Sequence, residues 1–246
     1  MRIAIAGGTG TVGTHIVDVA RERGHEVVVL SRSNGVDLVT GTGIDTALQG
    51  VDAVIDVAST MTQSADESEK FFGSVTRHLL AAEKAAGVPH HVALGIVGSL
   101  EAAYGYYAGK KVQEDLVSAG SVPWTILRAT QFHEFAAQLY GQITIGPIIL
   151  APKMKSQPIA AREVAERLVE LASGAPAGYV AELAGPRVEN MARMVRAYAK
   201  ATGKHGPIVE IPAPGRSGKA MRDGTLLARP GAALGRQTFD EWIAAL

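Results

Sequence analysis

Apolar and polar positions follow a repeating order through the first half of the chain. The apolar run Ile3-Ala4-Ile5-Ala6 predicts a strand over 2–6, and residues 11–23 carry apolar side chains at helical spacing. Gly24 closes that helix, and Glu26-Val27-Val28-Val29-Leu30 reads as a β-branched strand. A short strand is expected near 36–40, one or two helical turns over 45–49, and a strand over 52–57. A long helix follows over 66–86, with Phe71, Val75, His78, Leu79 and Ala82 near helical spacing and Gly87 as its stop. A strand at His91–Leu94, a helix over 104–119 and a strand at Trp124–Leu127 complete the series. Strands alternating with helices predict an α/β fold built on a parallel, doubly wound sheet.

The pattern loosens after Arg128. Ile143-Thr144-Ile145 and Ile148-Ile149-Leu150 are short strand candidates broken by Gly146 and Pro147. Helices are expected over 161–172 and 188–202, strands near 178–183 and 207–211, and a closing helix over 238–245. In that last helix Thr238 stands at the N-cap and Glu241 at the capping-box position. The whole chain is read as one domain. Residues 1–130 form a cofactor-binding core, and 131–246 complete the sheet and build a small substrate lobe. No linker marks the division, so that boundary is soft.

Composition removes several classes of function. The chain has no cysteine, which excludes disulfides, thiolate metal sites and cysteine nucleophiles. Lys and Arg number 24, as do Asp and Glu, so the net charge of zero makes no case for nucleic acid or an anionic membrane surface. No basic-apolar leader precedes the first strand, and no run of about 18 apolar residues could span a bilayer. The expectation is a cytoplasmic protein with a small-molecule substrate and neither a nucleic-acid nor a membrane partner. A homodimer stays open.

Gly7-Gly8-Thr9-Gly10-Thr11-Val12-Gly13 lies between the first strand and the first helix. Such a turn brings backbone N–H groups and the positive end of a helix up to a phosphate. The early glycines permit the tight turn and close approach of a pyrophosphate, and Gly13 lets the helix pack on the strand. The residue at the end of the second strand discriminates between dinucleotides, because an acid there binds the ribose hydroxyls and repels a 2′-phosphate. Here the strand runs into Ser31-Arg32-Ser33-Asn34 without an acid. Arg32 can pair with a 2′-phosphate through its planar fork, and Ser31 can add a hydroxyl. NADP(H) is therefore favoured, with NAD(H) open.

Tyr106 and Lys110 stand four apart on the helix over 104–119, so both lie on one face. An ammonium beside a phenol favours the phenolate and makes tyrosine a better acid–base group. A second register, Tyr107 with Lys111, points elsewhere, since adjacent helical residues diverge by about 100°. His90-His91 has no third ligand nearby, so no metal is expected. His133, after the last strand of the series, is a candidate to line the substrate pocket.

These pieces together resemble an atypical short-chain dehydrogenase/reductase of the NmrA-like, NAD(P)H-binding branch. The matching motifs are the glycine turn at 7–13, Asp56-Val57-Ala58-Ser59, Tyr106-Tyr107-x-x-Lys110 with Glu114, and Val122-Pro123-Trp124-Thr125-Ile126-Leu127-Arg128. The resemblance implies a Rossmann-like fold with a C-terminal substrate lobe. It implies Tyr106 as acid–base residue, Lys110 as its partner and a ribose ligand, and Gly7, Thr9, Gly10, Thr11, Val12 and Gly13 around the pyrophosphate. It further implies Ala58 and Ser59 flanking the cofactor, and Thr130, Gln131 and Phe132 near nicotinamide or substrate. The chain departs from the pattern at Gly95, where such enzymes often carry Ser or Thr, with Ser99 the only hydroxyl nearby. Ala129 replaces a frequent proline.

Three functions fit these residues. The first is an NADPH-dependent reductase of a small carbonyl, quinone or similar acceptor. The second is a non-catalytic NADP(H) sensor that docks a protein partner. The third is an epimerase or dehydratase that retains NAD.

Overall fold

The computed structural model describes residues 1–142 and 144–246. The chain divides into two compact units, residues 1–128 with 162–181, and residues 129–161 with 182–246. Elements are numbered in chain order.

The first unit is Rossmann-like. Its strands are β1 (Arg2–Ala6), β2 (Glu26–Leu30), β3 (Ala53–Asp56), β4 (His91–Ile96) and β5 (Trp124–Ala129). They lie in the spatial order β5-β4-β3-β1-β2, with the β1–β2, β1–β3 and β3–β4 pairs parallel. β1 and β3 are buried almost throughout, as apolar strands covered on both faces must be. Ile3, Ile5, Val54 and Ile55 are fully buried, with Val54 on the opposite sheet face from Ile55. The connecting helices are α1 (Thr11–Glu22), the short α2 (Ile44–Ala47), α3 (Ala65–Ala86) and α4 (Tyr106–Ala119). α3 has strong local signals. Ser64 accepts the Glu67 N–H at its start, and Gly87 ends it in the left-handed region at φ 73°.

Residues 162–181 return to this unit. α6 (Ala161–Ala172) carries buried Val164, Ala165, Leu168 and Val169, and its Arg162 pairs with Glu22 of α1 at 2.6 Å. β9 (Gly178–Tyr179) pairs in parallel with Thr125 and Ile126 of β5. Beneath the sheet, His91 meets Glu83 at 2.8 Å with both side chains fully buried. Burial alone would lower the His91 pKa, but the carboxylates of Glu83 and Asp56 raise it above its ordinary value.

The second unit holds α5 (Phe135–Leu139), β6 (Thr144–Ile145), β7 (Ile148–Pro152), β8 (Lys155–Ser156), β10 (Leu183–Ala184), β11 (Glu189–Asn190), α7 (Met191–Ala201), β12 (Ile208–Ile211), α8 (Gly215–Asp223), β13 (Ala233–Leu234) and α9 (Phe239–Ala244). β12 runs parallel to β7, β6 antiparallel to β7, and β8 antiparallel to β11. Leu183 pairs with Ala129, and β10 pairs with β13, both in parallel. α9 carries the capping box expected from Thr238 and Glu241.

Four expectations are corrected. The strand near 36–40 is a turn, because the Asp37 carboxylate accepts the N–H groups of Val39 and Thr40 at 2.8 and 3.2 Å and folds the backbone back. The single strand over 178–183 is two short strands, one in each unit, since the chain passes between units there. The helix placed over 188–202 starts at Met191, because Glu189–Asn190 pairs with β8 and the Asn190 side chain caps Arg193 N–H at 2.9 Å. α4 starts at Tyr106, after Gly105 at φ 54°. Ile143 lies outside the described residues. No helix among the described residues is long and apolar enough to cross a membrane.

Candidate functional site

The strand order changes direction beside β1, so the crevice between the carboxyl ends of β1 and β3 is a topological switch point, where open α/β sheets take their ligands. The glycine turn leaves β1 there. Gly7 adopts φ 84°, and its carbonyl accepts the Gly10 N–H at 3.0 Å. A Cβ on Gly7 would lie 2.8 Å from Ala58 N and Val57 O, so the turn presses directly on the tail of β3. A Cβ on Gly13 would lie 2.0 Å from Gly7 O. Thr9, Gly10 and Thr11 are exposed, whereas Val12 and Gly13 are buried. Gly10 is an N-cap without a side-chain cap, and the first turn of α1 has no acidic residue. This helix start thus has neither a side-chain cap nor a carboxylate in its first turn, which fits a dinucleotide pyrophosphate.

At the end of β2 the chain forms a 3₁₀ turn, Arg32–Asn34. Ser31 and Ser33 hydroxyls bond each other at 2.9 Å, and Asn34 Nδ2 donates to the Val29 carbonyl at 3.1 Å. These bonds hold the turn and leave Arg32 exposed. Its guanidinium has no hydrogen bond or ion pair among the described residues.

α4 reaches the same region because α3 lets it come close. A Cβ on Gly109 would lie 2.3 Å from Ser68 Oγ and 2.6 Å from Phe72 Cδ2, so only glycine permits this crossing. Ser68 Oγ then donates to the Tyr106 carbonyl at 2.8 Å and fixes the first turn of α4. The Tyr106 ring packs edge-on to Phe72 with centroids 5.4 Å apart. Its phenol lies 2.9 Å from Ser59 Oγ, just past β3. Burial raises the Tyr106 pKa, the Ser59 hydrogen bond lowers it, and Asp56 raises it again, for a net increase. This corrects the expectation that the phenol is made more acidic.

Lys110 shares that helix face, but its ammonium points inward. It is 4% exposed, donates to the Leu94 carbonyl at 2.5 Å and to Gln113 Oε1, and lies 4.7 Å over the Phe72 ring. Gln113 Nε2 in turn donates to Asp56 Oδ2 at 2.7 Å, and Asp56 Oδ1 accepts the Ala58 N–H at 3.0 Å. Lys110, Gln113 and Asp56 therefore tie α4 to the tail of β3. Burial pulls the Lys110 pKa down to about 8 against the raising pull of Asp56 and Glu114. Between about pH 8 and 10.5 the unfolded chain keeps a proton at this lysine that the folded chain has lost. Stability from this group therefore rises with pH across that window. Lys110→Met is expected to remove the rise, as measured by urea unfolding at pH 7 and at pH 10.

Gly95 has a steric cause. Its Cβ would lie 2.6 Å from Glu114 Oε1 and 3.0 Å from Arg128 Cγ. Glu114 is fully buried. It accepts Arg128 Nε and Nη2 at 2.9 and 2.7 Å, and the Ser99 hydroxyl at 3.0 Å. Arg128 also stacks on Tyr179, with 4.7 Å from Cζ to the ring centroid. The ion pair fills the space a serine at 95 would need, and it occupies the hydroxyl of Ser99.

The first unit thus brings together the glycine turn, Ala58, Ser59, Tyr106 and Lys110. Gln131, Phe132 and His133 belong to the second unit. Gln131 accepts the Ser156 hydroxyl at 2.9 Å, and Phe132 bridges Ile159. His133 is fully buried against Phe239 and Trp242, and its Nε2 donates to the Gln237 carbonyl at 3.1 Å. Burial lowers its pKa to about 4, so it is neutral at physiological pH. His90 bonds Thr125 and His91 bonds Glu83. Asp56 and Gln113 were not singled out from sequence as site residues. A signal for Gln113 existed, since 106, 110 and 113 lie on one helical face. Asp56 was visible as a carboxylate ending a strand that is otherwise apolar.

A model of the NAD(P)H-binding family matches residues 7–174. The chain is 27% identical over 237 residues to the photosystem II assembly factor Ycf39 of Synechocystis sp., covering 86% of this chain and 71% of that protein. It is 29% identical over 144 residues to the (4-alkanoyl-5-oxo-2,5-dihydrofuran-3-yl)methyl phosphate reductase of Streptomyces griseus, covering 53% of this chain and 48% of that protein. The chain therefore spans about half the length of that reductase. Among solved structures, the Thermus thermophilus UDP-glucose 4-epimerase complex with NAD has a TM-score of 0.71 at 21% identity, covering 100% of both chains, a likeness of fold. With its glycine turn at the switch point and a family match over 7–174, the chain belongs to the NAD(P)H-binding family.

Proposed function

We propose that this protein is an NADPH-dependent reductase of a small carbonyl, quinone or similar acceptor, with Tyr106 as its proton donor. The observation that carries this reading is the Tyr106 phenol bonded to Ser59 at 2.9 Å, on the segment just past β3 against which the glycine turn packs. When bound, NADPH supplies the reducing electron pair. Gly7, Thr9, Gly10, Thr11, Val12 and Gly13 would hold its pyrophosphate, Ser31 and Arg32 its 2′-phosphate, and Ala58 and Ser59 its inner half. Lys110, turned inward onto Leu94 and Gln113, would serve by fixing α4 beside the tail of β3. The raised Tyr106 pKa keeps the phenol protonated across the neutral range, which suits a proton donor in the direction of reduction. Likeness to a reductase over half the chain supports the same reading.

Calorimetric titration with NADPH and NADH tests the cofactor assignment. A charge-assisted Arg32–phosphate pair is expected to favour NADPH by roughly 10- to 100-fold. Arg32→Ala is expected to remove most of that preference without weakening NADH. Equal affinity of the wild type for both cofactors would sink the Arg32 assignment. NAD retained through purification would favour the epimerase reading instead.

A second reading, a non-catalytic NADP(H) sensor that docks a partner protein, draws on the closed position at Gly95 and on likeness to an assembly factor over 86% of the chain. It requires tight NADPH binding without NADPH oxidation across a broad acceptor panel, and a partner whose affinity depends on the cofactor's redox state.

A further inference from the structure

We infer that Ser59 sets the acidity of Tyr106 by donating its hydroxyl proton to the phenolate, and so serves as the hydroxyl partner that position 95 cannot hold. The inference rests on the reductase reading above for its place in the reaction, and on geometry for the pair itself. Ser59 Oγ and Tyr106 Oη lie 2.9 Å apart although 47 positions separate them in the chain. In the neutral pair either oxygen can donate. Once the phenol has given up its proton, the phenolate is an acceptor only, and Ser59 is left as the donor.

The placement is built rather than incidental. Asp56 holds the 57–58 peptide through the Ala58 N–H and holds α4 through Gln113. Gly7 packs on the same peptide from the other side. α4 is fixed by Ser68 at the Tyr106 carbonyl. Both oxygens thus sit on segments clamped to each other. The alternatives are closed, since Ser99 donates to buried Glu114 and a side chain at 95 would strike that carboxylate.

In the step this serves, the Oη–H bond of Tyr106 breaks and its electron pair stays on the phenolate. The proton forms an O–H bond with the pair released onto the acceptor's oxygen from its C=O π bond, as the carbonyl carbon gains a hydride that bound NADPH would supply. Solvent later returns a proton to Oη. Ser59 changes no bond and remains a positioning residue. The charged group acting on the phenol is Asp56 at the end of β3. α3 presents the Phe72 ring and α4 the Tyr107 ring, edge-on with centroids 6.3 Å from Tyr106, while Lys110 is turned onto Leu94 and Gln113. Asp56 opposes the phenolate, so a hydrogen-bond donor is the counterweight.

The test is a titration that needs no turnover. Protein labelled with fluorotyrosine, whose phenols ionise at lower pH, is followed by ¹⁹F NMR, and the Tyr106 resonance is assigned by its loss in Tyr106→Phe. Ser59→Ala is expected to raise the Tyr106 midpoint by about one pH unit, equivalent to a tenfold weaker acid. Ser59→Thr should restore it. An unmoved midpoint in Ser59→Ala, or a Thr variant indistinguishable from Ala, would overturn the inference. NADPH oxidation with a panel of quinones and aromatic aldehydes tests the reductase reading separately. Oxidation by the wild type with an unmoved midpoint leaves that reading standing and removes Ser59. A shifted midpoint with no oxidation of any acceptor removes the reading and keeps the pair. Where turnover occurs, Ser59→Ala should lower kcat/KM by roughly tenfold or more, and add nothing in a Tyr106→Phe background.

Discussion

Gly13→Ala is expected to abolish dinucleotide binding and to destabilise the first unit by about 3 kcal/mol, the upper end for overpacking a tight interior. The added Cβ would stand 2.0 Å from Gly7 O, 2.7 Å from Gly8 Cα and 2.8 Å from Gly7 C. All three are backbone atoms of the turn, so no flexible side chain can swing away. Relief requires either that α1 lift from β1 or that the turn open. Opening the turn pushes Gly7 into Ala58 and Val57, which already lie within 3 Å of where a Gly7 Cβ would sit. Either movement displaces the N–H groups of the helix start. Gly10→Ala is the control for stability, because Gly10 has φ −84° and its Cβ would come no closer than 3.4 Å to Gly7 O. Urea unfolding of both variants and NADPH calorimetry of Gly13→Ala check the prediction. A Gly13→Ala protein that binds NADPH like the wild type would show that the turn tolerates what its geometry forbids.

Tyr106→Phe is expected to lower kcat/KM for any acceptor by roughly 10²- to 10⁴-fold, the range for removing a positioned general acid. The fold should barely notice. The ring keeps its edge-on contact with Phe72, and only the bond to Ser59 is lost, worth about 1 kcal/mol or less at a partly exposed site. Turnover and a urea midpoint, measured on the same preparation, separate the two effects. Because burial raises the phenol's pKa, this group alone gives wild-type reduction no loss of rate through the neutral range, and a decline only at strongly alkaline pH. Unchanged turnover in Tyr106→Phe would take the proton-donor role from this residue, whatever the cofactor result.

Much of the first unit could be read along the chain because its signals are local. β1, the glycine turn and α1 follow within 22 residues of the N-terminus, and an apolar strand, a glycine turn and a helical period each depend on near neighbours. α3 announced itself through its apolar spacing and Gly87, and the Tyr106–Lys110 face through a spacing of four. The second unit was less legible. α8 contains two glycines, a serine and an aspartate, a poor helical composition. It is held by tertiary fit instead, with Gly218 against Ala213 and Arg222 Nη1 donating to the Ala213 carbonyl at 2.8 Å.

The sequence by itself determined that this chain has a dinucleotide turn, an Arg-bearing second-strand end without an acid, and a tyrosine and a lysine on one helical face, because each is set by residues a few positions apart. Only the tertiary structure decided what those residues touch. Strand order put β3 beside β1 and so brought Ser59 to the turn, and the glycine at 109 let α4 close on α3 and carried Tyr106 to Ser59. The same packing turned Lys110 inward to Leu94 and Gln113, and filled the space beside Gly95 with the Glu114–Arg128 pair. These contacts join residues far apart in sequence, and no periodicity or cap encodes them.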